Sequence, residues 1–398
     1  MTRHFTSSSP GGYDNAMKTR GLTVAGLAIV AATYGLARYC FGLFLPEFRQ
    51  EFGLSTETIG LIAGLSYAGY LMATFLGSGL STWFGPRLPI LLGGLTAACG
   101  MATIAVAPDA WILAFGVFLA GASPGLAYPP FSDVIVRHTE PSRQNTIYAW
   151  INSGTGFGVA FAGPLALYAG EDWRLAWFLF AGLALVITLC NYWTLPHHSP
   201  RPANAMAAIS PRFLLQRAAR PLFVAAFLFG IFSAVYWTYA VELLVDRTEN
   251  ANDAILFWIV LGMAGVTGCF AGGFVNRWGL RRTYWVLALV VGTAVGTLPF
   301  LIGVRHGIYF SAAFFGVGFI VMTALYGMWS MRIFRDAPSI GFGLTFFLIS
   351  LGQGVGPVVA GFAIPVLGHP ALFVASGILC CGLAFFSPRE RDAAGNRP

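Results

Sequence analysis

The chain is a succession of long apolar runs cut by short clusters of charge, glycine and proline, from Gly21 to Ser387. About twenty apolar residues carry a helix across the hydrocarbon of a bilayer. The pattern therefore predicts twelve spanning helices, over 22–45, 57–82, 88–107, 110–135, 146–169, 174–195, 221–245, 253–276, 283–304, 307–332, 340–366 and 371–387. The last of these is short for a full crossing. The fold class this implies is an all-α integral membrane protein.

One polar interruption is longer than the rest. HHSPRPANAMAAISPRFLLQRAAR, from His197 to Arg220, holds four arginines and no acid. It divides the chain into an N-terminal tail (1–20), a six-helix half (21–195), a central loop (196–220), a second six-helix half (221–387) and a C-terminal tail (388–398). The halves repeat each other. YPPFSDVIVRHT from Tyr128 pairs with YGMWSMRIFRDA from Tyr326, matching Tyr128/Tyr326, Ser132/Ser330, Ile135/Ile333 and Arg137/Arg335. GTGFG from Gly154 pairs with GQGVG from Gly352 at the same offset, and SGLSTWFGPR from Ser78 with GGFVNRWGLR from Gly272 at nearly the same one. Agreement on offset in corresponding helices predicts a duplicated architecture, two pseudo-symmetric six-helix bundles.

Composition agrees with a lipid-facing chain. It is 57% hydrophobic and 10% charged over 398 residues, against about 25% charged for soluble domains. The net charge of +7 is almost all arginine, with Lys18 the one lysine. Its distribution points to membrane topology rather than to nucleic acid. With the N-terminus inside, the outer segments carry only Arg49, Arg174, Arg247 and Arg305, and every other basic residue outside the spans is inside. This asymmetry predicts cytoplasmic termini; the expected location is a bacterial inner membrane. The first apolar run is longer than a signal-peptide core and has no small-residue cleavage site, so it reads as a retained helix. The six cysteines all fall in apolar runs, without metal-ligand spacing. No metal and no cofactor is expected.

The loops carry a resemblance. Gly272, Gly273, Phe274, Val275, Asn276, Arg277, Trp278, Gly279, Leu280, Arg281 and Arg282 resemble the basic, glycine-anchored motif of the major facilitator superfamily. A second, degraded copy keeps Leu80, Gly85 and Arg87, with Thr82 at the usual acid and Trp83 at a usual basic position. The resemblance extends over nearly the whole chain, including the Asp172-Trp173-Arg174 turn. YGLARYCFGLFLP, from Tyr34, is similar to the first helix of a bacterial branch labelled YbfB/YjiJ-like. The resemblance implies two bundles around a central cavity lined by the first, fourth, seventh and tenth helices, with alternating access. It also implies that the basic loops brace one closed arrangement, with Arg87 near Asp133. The missing acid at position 82 departs from that network.

Arg38 is the one charge in the first apolar run after Arg20. It lies about 21 Å along the helix from Val24, a little beyond the bilayer midplane. A charge there costs about 2.5–3.5 kcal/mol on insertion scales, and an arginine cannot escape by losing its proton. It must face a wet cavity, an acid or an anionic solute. One reading is a clamp for a carboxylate, supported by Tyr34 one turn below. Another is a gate closed by pairing with Glu242 of the seventh helix. Glu242 can also carry a proton, and Asp133 near the inner end of the fourth helix has a structural role toward Arg87 or Arg137, or a proton-coupling one. Neither Arg38 nor Glu242 has a counterpart in the other half: at an offset of 200 they fall opposite Thr238 and Gly42.

Further polar and aromatic residues recur on helices expected at the cavity. Tyr34, Tyr128, Tyr236, Tyr239, Tyr326 and Gln353 join Arg38 as candidate solute contacts, with Tyr67, Tyr70, Asn152 and Trp329 nearby in pattern. Packing and interfacial roles compete for each. GASPG, from Gly121, matches G-x-S-x-G but lies inside an apolar helix. That motif needs a strand-to-helix turn with histidine and acid partners, so Ser123 is no nucleophile. All six histidines read as loop or tail residues. No nucleotide motif is present. The expected function is non-enzymatic: secondary active transport of a small solute, best an organic anion, with a proton as the candidate coupling ion. The expected partners are that solute and the lipid bilayer, not nucleic acid, and the expected state is a monomer. An exporter of apolar compounds and a non-transporting sensor or scaffold are the alternatives.

Overall fold

A computed structural model describes residues 10–170, 172–196, 216–247, 251–304, 306–334 and 338–388. Most of the central loop, the outer parts of both tails, Arg305 and Arg335 lie outside the described residues.

Among the described residues twelve long helices follow one another: α1 Pro10–Val30, α2 Thr56–Phe84, α3 Arg87–Ala105, α4 Ala110–His138, α5 Pro141–Ala169, α6 Trp173–Thr194, α7 Ala219–Val245, α8 Ala251–Val266, α9 Leu280–Leu301, α10 Gly307–Ile333, α11 Pro338–Leu367 and α12 His369–Gly382. Eleven described segments are long and apolar enough to cross a membrane. The exception is α5, in which Asn152, Ser153, Thr155 and repeated glycines dilute the apolar run. The boundaries depart from the sequence pattern in three places. The first helix is already helical at Pro10 and continues past Val30 as a π-helix, Ala31–Tyr39, and a 3₁₀ turn, Cys40–Gly42. A short helix, Leu45–Phe52, then precedes α2. The eighth span continues through a 3₁₀ turn, Thr267–Phe270, into a separate helix, Ala271–Trp278.

Packing repeats between the halves. α4 packs on α2 and α3, and α10 on α8 and α9; α6 packs on α3 as α12 does on α9. The first helix and its π segment lie on α5 as α7 lies on α11. The bundles meet through α2 against α11 and α5 against α8, again equivalent pairs. Large apolar side chains such as Phe75, Phe310, Val366 and Phe385 stand exposed on the outside, where a bilayer covers them at no cost in hydration.

The glycine repeats create these contacts. Gly154 and Gly158 sit against the backbone of the first helix at Leu27 and Ala31, while Gly156, on the opposite face, meets Gly262 and Val266 of the other bundle. In the second half Gly352 and Gly356 sit against Phe227 and Ile231 of α7, and Gly354 faces Gly64 and Tyr67 across the bundle interface. A Cβ at Gly158 or Gly356 would collide with main-chain atoms of the neighbour. Small residues are what bring helix backbones this close in a membrane.

Candidate functional site

Arg38 sits in the last turn of the π segment. A π-helix is under-wound and concentrates at functional positions. Here it presents Tyr34, Arg38 and Tyr39 toward the molecular centre. The guanidinium is buried, 4% exposed. Its carbon lies 4.2 Å from the ring centroid of Tyr70, 4.5 Å from Tyr67, 5.5 Å from Tyr34 and 5.7 Å from Tyr39. Each desolvated cation–π contact is worth about 0.5–2 kcal/mol, so the aromatic cage offsets much of the cost of burying the charge. The Tyr34 hydroxyl donates to that of Tyr70 at 3.1 Å.

Polar contact to Arg38 is sparse. Nη2 donates to Gln353 Oε1 of α11 at 3.2 Å, and Nε has no partner. Among the described residues no carboxylate pairs with it. Two cavities meet at its side chain. One, of about 40 Å³, lies on the side toward α1's start and is walled by Tyr34, Tyr70, Tyr128, Asn152, Phe346 and Gln353 among others. The second, of about 10 Å³, is lined on the other side by Tyr67, Trp237 and Thr238. The first has room for a few water-sized groups, the second for one.

The predicted pairing of Arg38 with Glu242 is not formed; Glu242 is held by two other residues. After the 3₁₀ turn the chain folds over into the short helix Leu45–Phe52, which brings Arg49 beside α7. Arg49 Nε donates to Glu242 Oε1, and Nη2 also pairs with that oxygen. The remaining donors reach Leu54 O and Thr56 Oγ1, each at 3.0 Å. His369 Nε2, in the first turn of α12, lies 3.3 Å from Glu242 Oε2. Glu242 is 3% exposed. Glu51 on the same short helix accepts from Trp173 Nε1 at 2.7 Å and pairs with Arg174, which also caps Ala105 O and Ala107 O. The short helix is therefore anchored to the first bundle by Glu51 and to the second by Arg49. Gly42 touches the Trp237 carbonyl, and Gly60 meets Pro357 O and the Tyr239 hydroxyl at the same end. These contacts join the two bundles at that end.

The other predicted contacts divide. Tyr34, Arg38, Tyr128 and Gln353 share the larger cavity. Tyr236, Tyr239 and Tyr326 do not line it in this conformation. Tyr236 stacks on Phe315 and bonds Ser311 Oγ at 2.7 Å, Tyr239 donates to Pro357 O at 2.9 Å, and Tyr326 donates to Ala225 O at 3.0 Å. The reason is helix rotation: these faces of α7 and α10 turn into the second bundle. The first, fourth and tenth helices do line the larger cavity, α10 through Phe319, Ile320 and Thr323; the second, fifth and eleventh join them through Tyr70, Asn152 and Gln353, while α7 reaches only the smaller void. Asp133 accepts from Ser81 Oγ at 3.1 Å, and Arg87 donates to Tyr192 O and lies over its ring.

The basic loops keep a shared geometry. Gly85 has φ 83° and ψ 166°, Gly279 φ 79° and ψ 158°. Only glycine adopts this region freely, so both turns need it. Gly272, Asn276 and Arg277 sit on the Ala271–Trp278 helix, and Arg281 and Arg282 at the start of α9. All five are exposed except the half-buried Gly272. The histidine reading needs amending: His138 ends α4 and His369 begins α12. Arg49 and His369 were missed as partners of Glu242. The available signal was their place at ends of spans predicted on the same side as Glu242.

The family model described as Major Facilitator Superfamily matches residues 27–352. The chain belongs to the major facilitator superfamily. It is 25% identical to human "Monocarboxylate transporter 11" over 94% of this chain and 84% of that protein. It is 28% identical to "Multidrug resistance protein MdtH" of Salmonella typhi over 66% of this chain and 65% of that one. Among solved structures it resembles a POT family transporter in complex with 5-aminolevulinic acid, with TM-score 0.74 and 13% identity over 93% of this chain and 96% of that one. It also resembles a mutant form of the nucleoside transporter NupG, with TM-score 0.70 and 12% identity over 92% and 97%. These last two likenesses speak for the superfamily fold alone. The protein is thus a multi-pass membrane protein of a transporter superfamily.

Proposed function

We propose that this protein is a secondary active transporter of small organic monoanions, with Arg38 as the countercharge for the carboxylate. One observation carries the reading: a guanidinium buried between two bundles, with an unpartnered Nε and no acid among the described residues, standing where two cavities meet. A charge in low dielectric needs a partner, and an anion able to approach from either side would supply one. Among the described residues Arg38 is the one cation on the larger cavity's wall, which favours a single negative charge. The aromatic and aliphatic surround suits an apolar body. The name of the human relative points to the same class.

Alternating access follows from the two clusters. The ion pair of Arg49 and Glu242 crosses between the bundles at the end we assign to the outside from the distribution of arginine, and the larger cavity lies on the cytoplasmic side of Arg38. Opening the outer mouth requires that pair to part. A proton delivered to Glu242 would release Arg49, which makes Glu242 our candidate for coupling. Tyr128 contacts solute and Gln353 stands on the same wall against Arg38, while Tyr236, Tyr239 and Tyr326 shape the bundle. Gly85, Arg87, Gly272, Asn276, Arg277, Gly279, Arg281 and Arg282 brace the cytoplasmic ends, as the superfamily's loops do.

The test is a thermal-shift titration of purified protein with acetate, pyruvate and benzoate, against their amides, followed by uptake into proteoliposomes. Carboxylates should stabilise the wild type and not Arg38→Ala. Equal response of the two sinks the anion reading. Flux of apolar compounds that survives Arg38→Ala would favour efflux, and absence of any flux a non-transporting role.

A further inference from the structure

Gln353 occupies the position on Arg38 that a carboxylate needs. A carboxylate pairs side-on with guanidinium through Nε and Nη2 together, the bidentate fork. Nε is empty and Nη2 is taken by Gln353 Oε1 at 3.2 Å. This is longer than the roughly 2.7–2.9 Å usual for a charged pair, and the amide's own Nε2, buried near the Tyr39 hydroxyl, makes no hydrogen bond of ordinary geometry. The contact is thus a weak, half-satisfied one. It also crosses the bundle interface, from the π segment of the first helix to α11.

The pseudo-symmetry makes it one-sided. Thr155 holds the place of Gln353 in the first half's glycine motif, as Thr238 holds that of Arg38 in the second. Nothing in the duplicated scaffold requires a long amide there. The flanking glycines Gly352 and Gly356 fasten α11 to α7, and Gly354 fastens it to α2, so Gln353 projects from a helix whose backbone is held on two sides.

We infer that Gln353 is an internal stand-in for the solute: its amide oxygen caps Arg38 in the empty protein, and an incoming carboxylate displaces it, releasing the mid-membrane bond between the bundles. This rests on the monoanion reading above. No proton or covalent step is involved; one acceptor replaces another on the same N–H edge. Gln353 then sets affinity by competition and couples occupancy to bundle movement, which makes it a positioning residue for transport rather than one more contact on the cavity wall.

Two variants in lipid nanodiscs test this. Gln353→Glu places a permanent carboxylate on the fork and should weaken pyruvate binding at least about tenfold in thermal-shift titration, the scale of a close charge pair. Gln353→Ala frees Nη2 and should tighten it several-fold. Hydrogen exchange adds a readout of coupling: pyruvate should speed amide exchange around Ala31–Gly42 in the wild type and leave Gln353→Ala, already released, unchanged. Weaker binding in Gln353→Ala would make Gln353 a direct ligand and overturn the inference. Equal pyruvate affinity in all three proteins would overturn it while leaving the monoanion reading intact. A wild type that responds to no carboxylate would overturn both.

Discussion

Arg38 and Arg49 stand on the same stretch of chain and meet opposite fates. Arg49 uses its guanidinium fully: Glu242, a main-chain carbonyl and a threonine hydroxyl take its donors, and it stays 33% exposed. Arg38 is almost wholly buried, is surrounded by four tyrosine rings and spends one donor on an amide. A built-in acid makes a charge part of the structure. Aromatic faces tolerate a charge without neutralising it, so it stays available to a ligand. The contrast fits the proposed division, with solute binding in the region of Arg38 and closure, between bundles at one end, in that of Arg49.

The largest effect should fall on Arg38. Arg38→Ala should cut carboxylate uptake by about 100-fold, the scale of losing one partner of a buried charge pair, while gel filtration stays monodisperse. Arg38→Lys keeps the charge without the fork and should restore only a minor part. Full activity in the lysine variant would erase the distinction between clamp and point charge.

Closure comes next. Glu242→Gln leaves Arg49 without its acid and should lower stability by about 1–2 kcal/mol, less than the roughly 3–5 of a fully buried pair because Arg49 keeps partial solvent contact. In that background Thr238→Cys, beside the smaller void, should react faster with an impermeant maleimide. The charge swap of Arg49→Glu with Glu242→Arg should bring labelling back down. Persistently fast labelling in the swap would show that the pair does not hold the mouth shut.

A smaller change is expected within the cage. Tyr34→Phe removes the bond to Tyr70 and should weaken carboxylate binding about fivefold, the worth of one hydrogen bond. Smallest of all, Tyr236→Phe and Tyr326→Phe should leave uptake within about twofold and cost about 0.5–1.5 kcal/mol in thermal stability. A large uptake defect in either would put that tyrosine back among the solute contacts.

Much of this was legible in advance because membrane proteins obey local rules. Span length, arginine asymmetry and glycine motifs report on helix existence and duplication residue by residue. The cost of an intramembrane charge singled out Arg38 without knowledge of its neighbours. Its partner was another matter. Counting residues at a uniform rise placed Glu242 near Arg38. The π segment, the 3₁₀ turn and the short helix Leu45–Phe52 broke that ruler and delivered Arg49 instead. Tyr236 and Tyr326 failed as cavity residues for a related reason. Periodicity says that a helix has faces, and rotation about its axis decides which face meets the cavity.

The sequence by itself determined the helices, their duplication, the glycine contacts that let them approach, and the presence of one guanidinium that must find an anion or an acid. Tertiary structure alone decided which: four tyrosines from two helices around Arg38, a glutamine from the opposite bundle on its Nη2, and the acid claimed by Arg49. Apolar spacing is a one-dimensional signal set by the bilayer. Charge pairing depends on distances between helices far apart in the chain, and a few irregular turns move those distances by more than the length of a hydrogen bond.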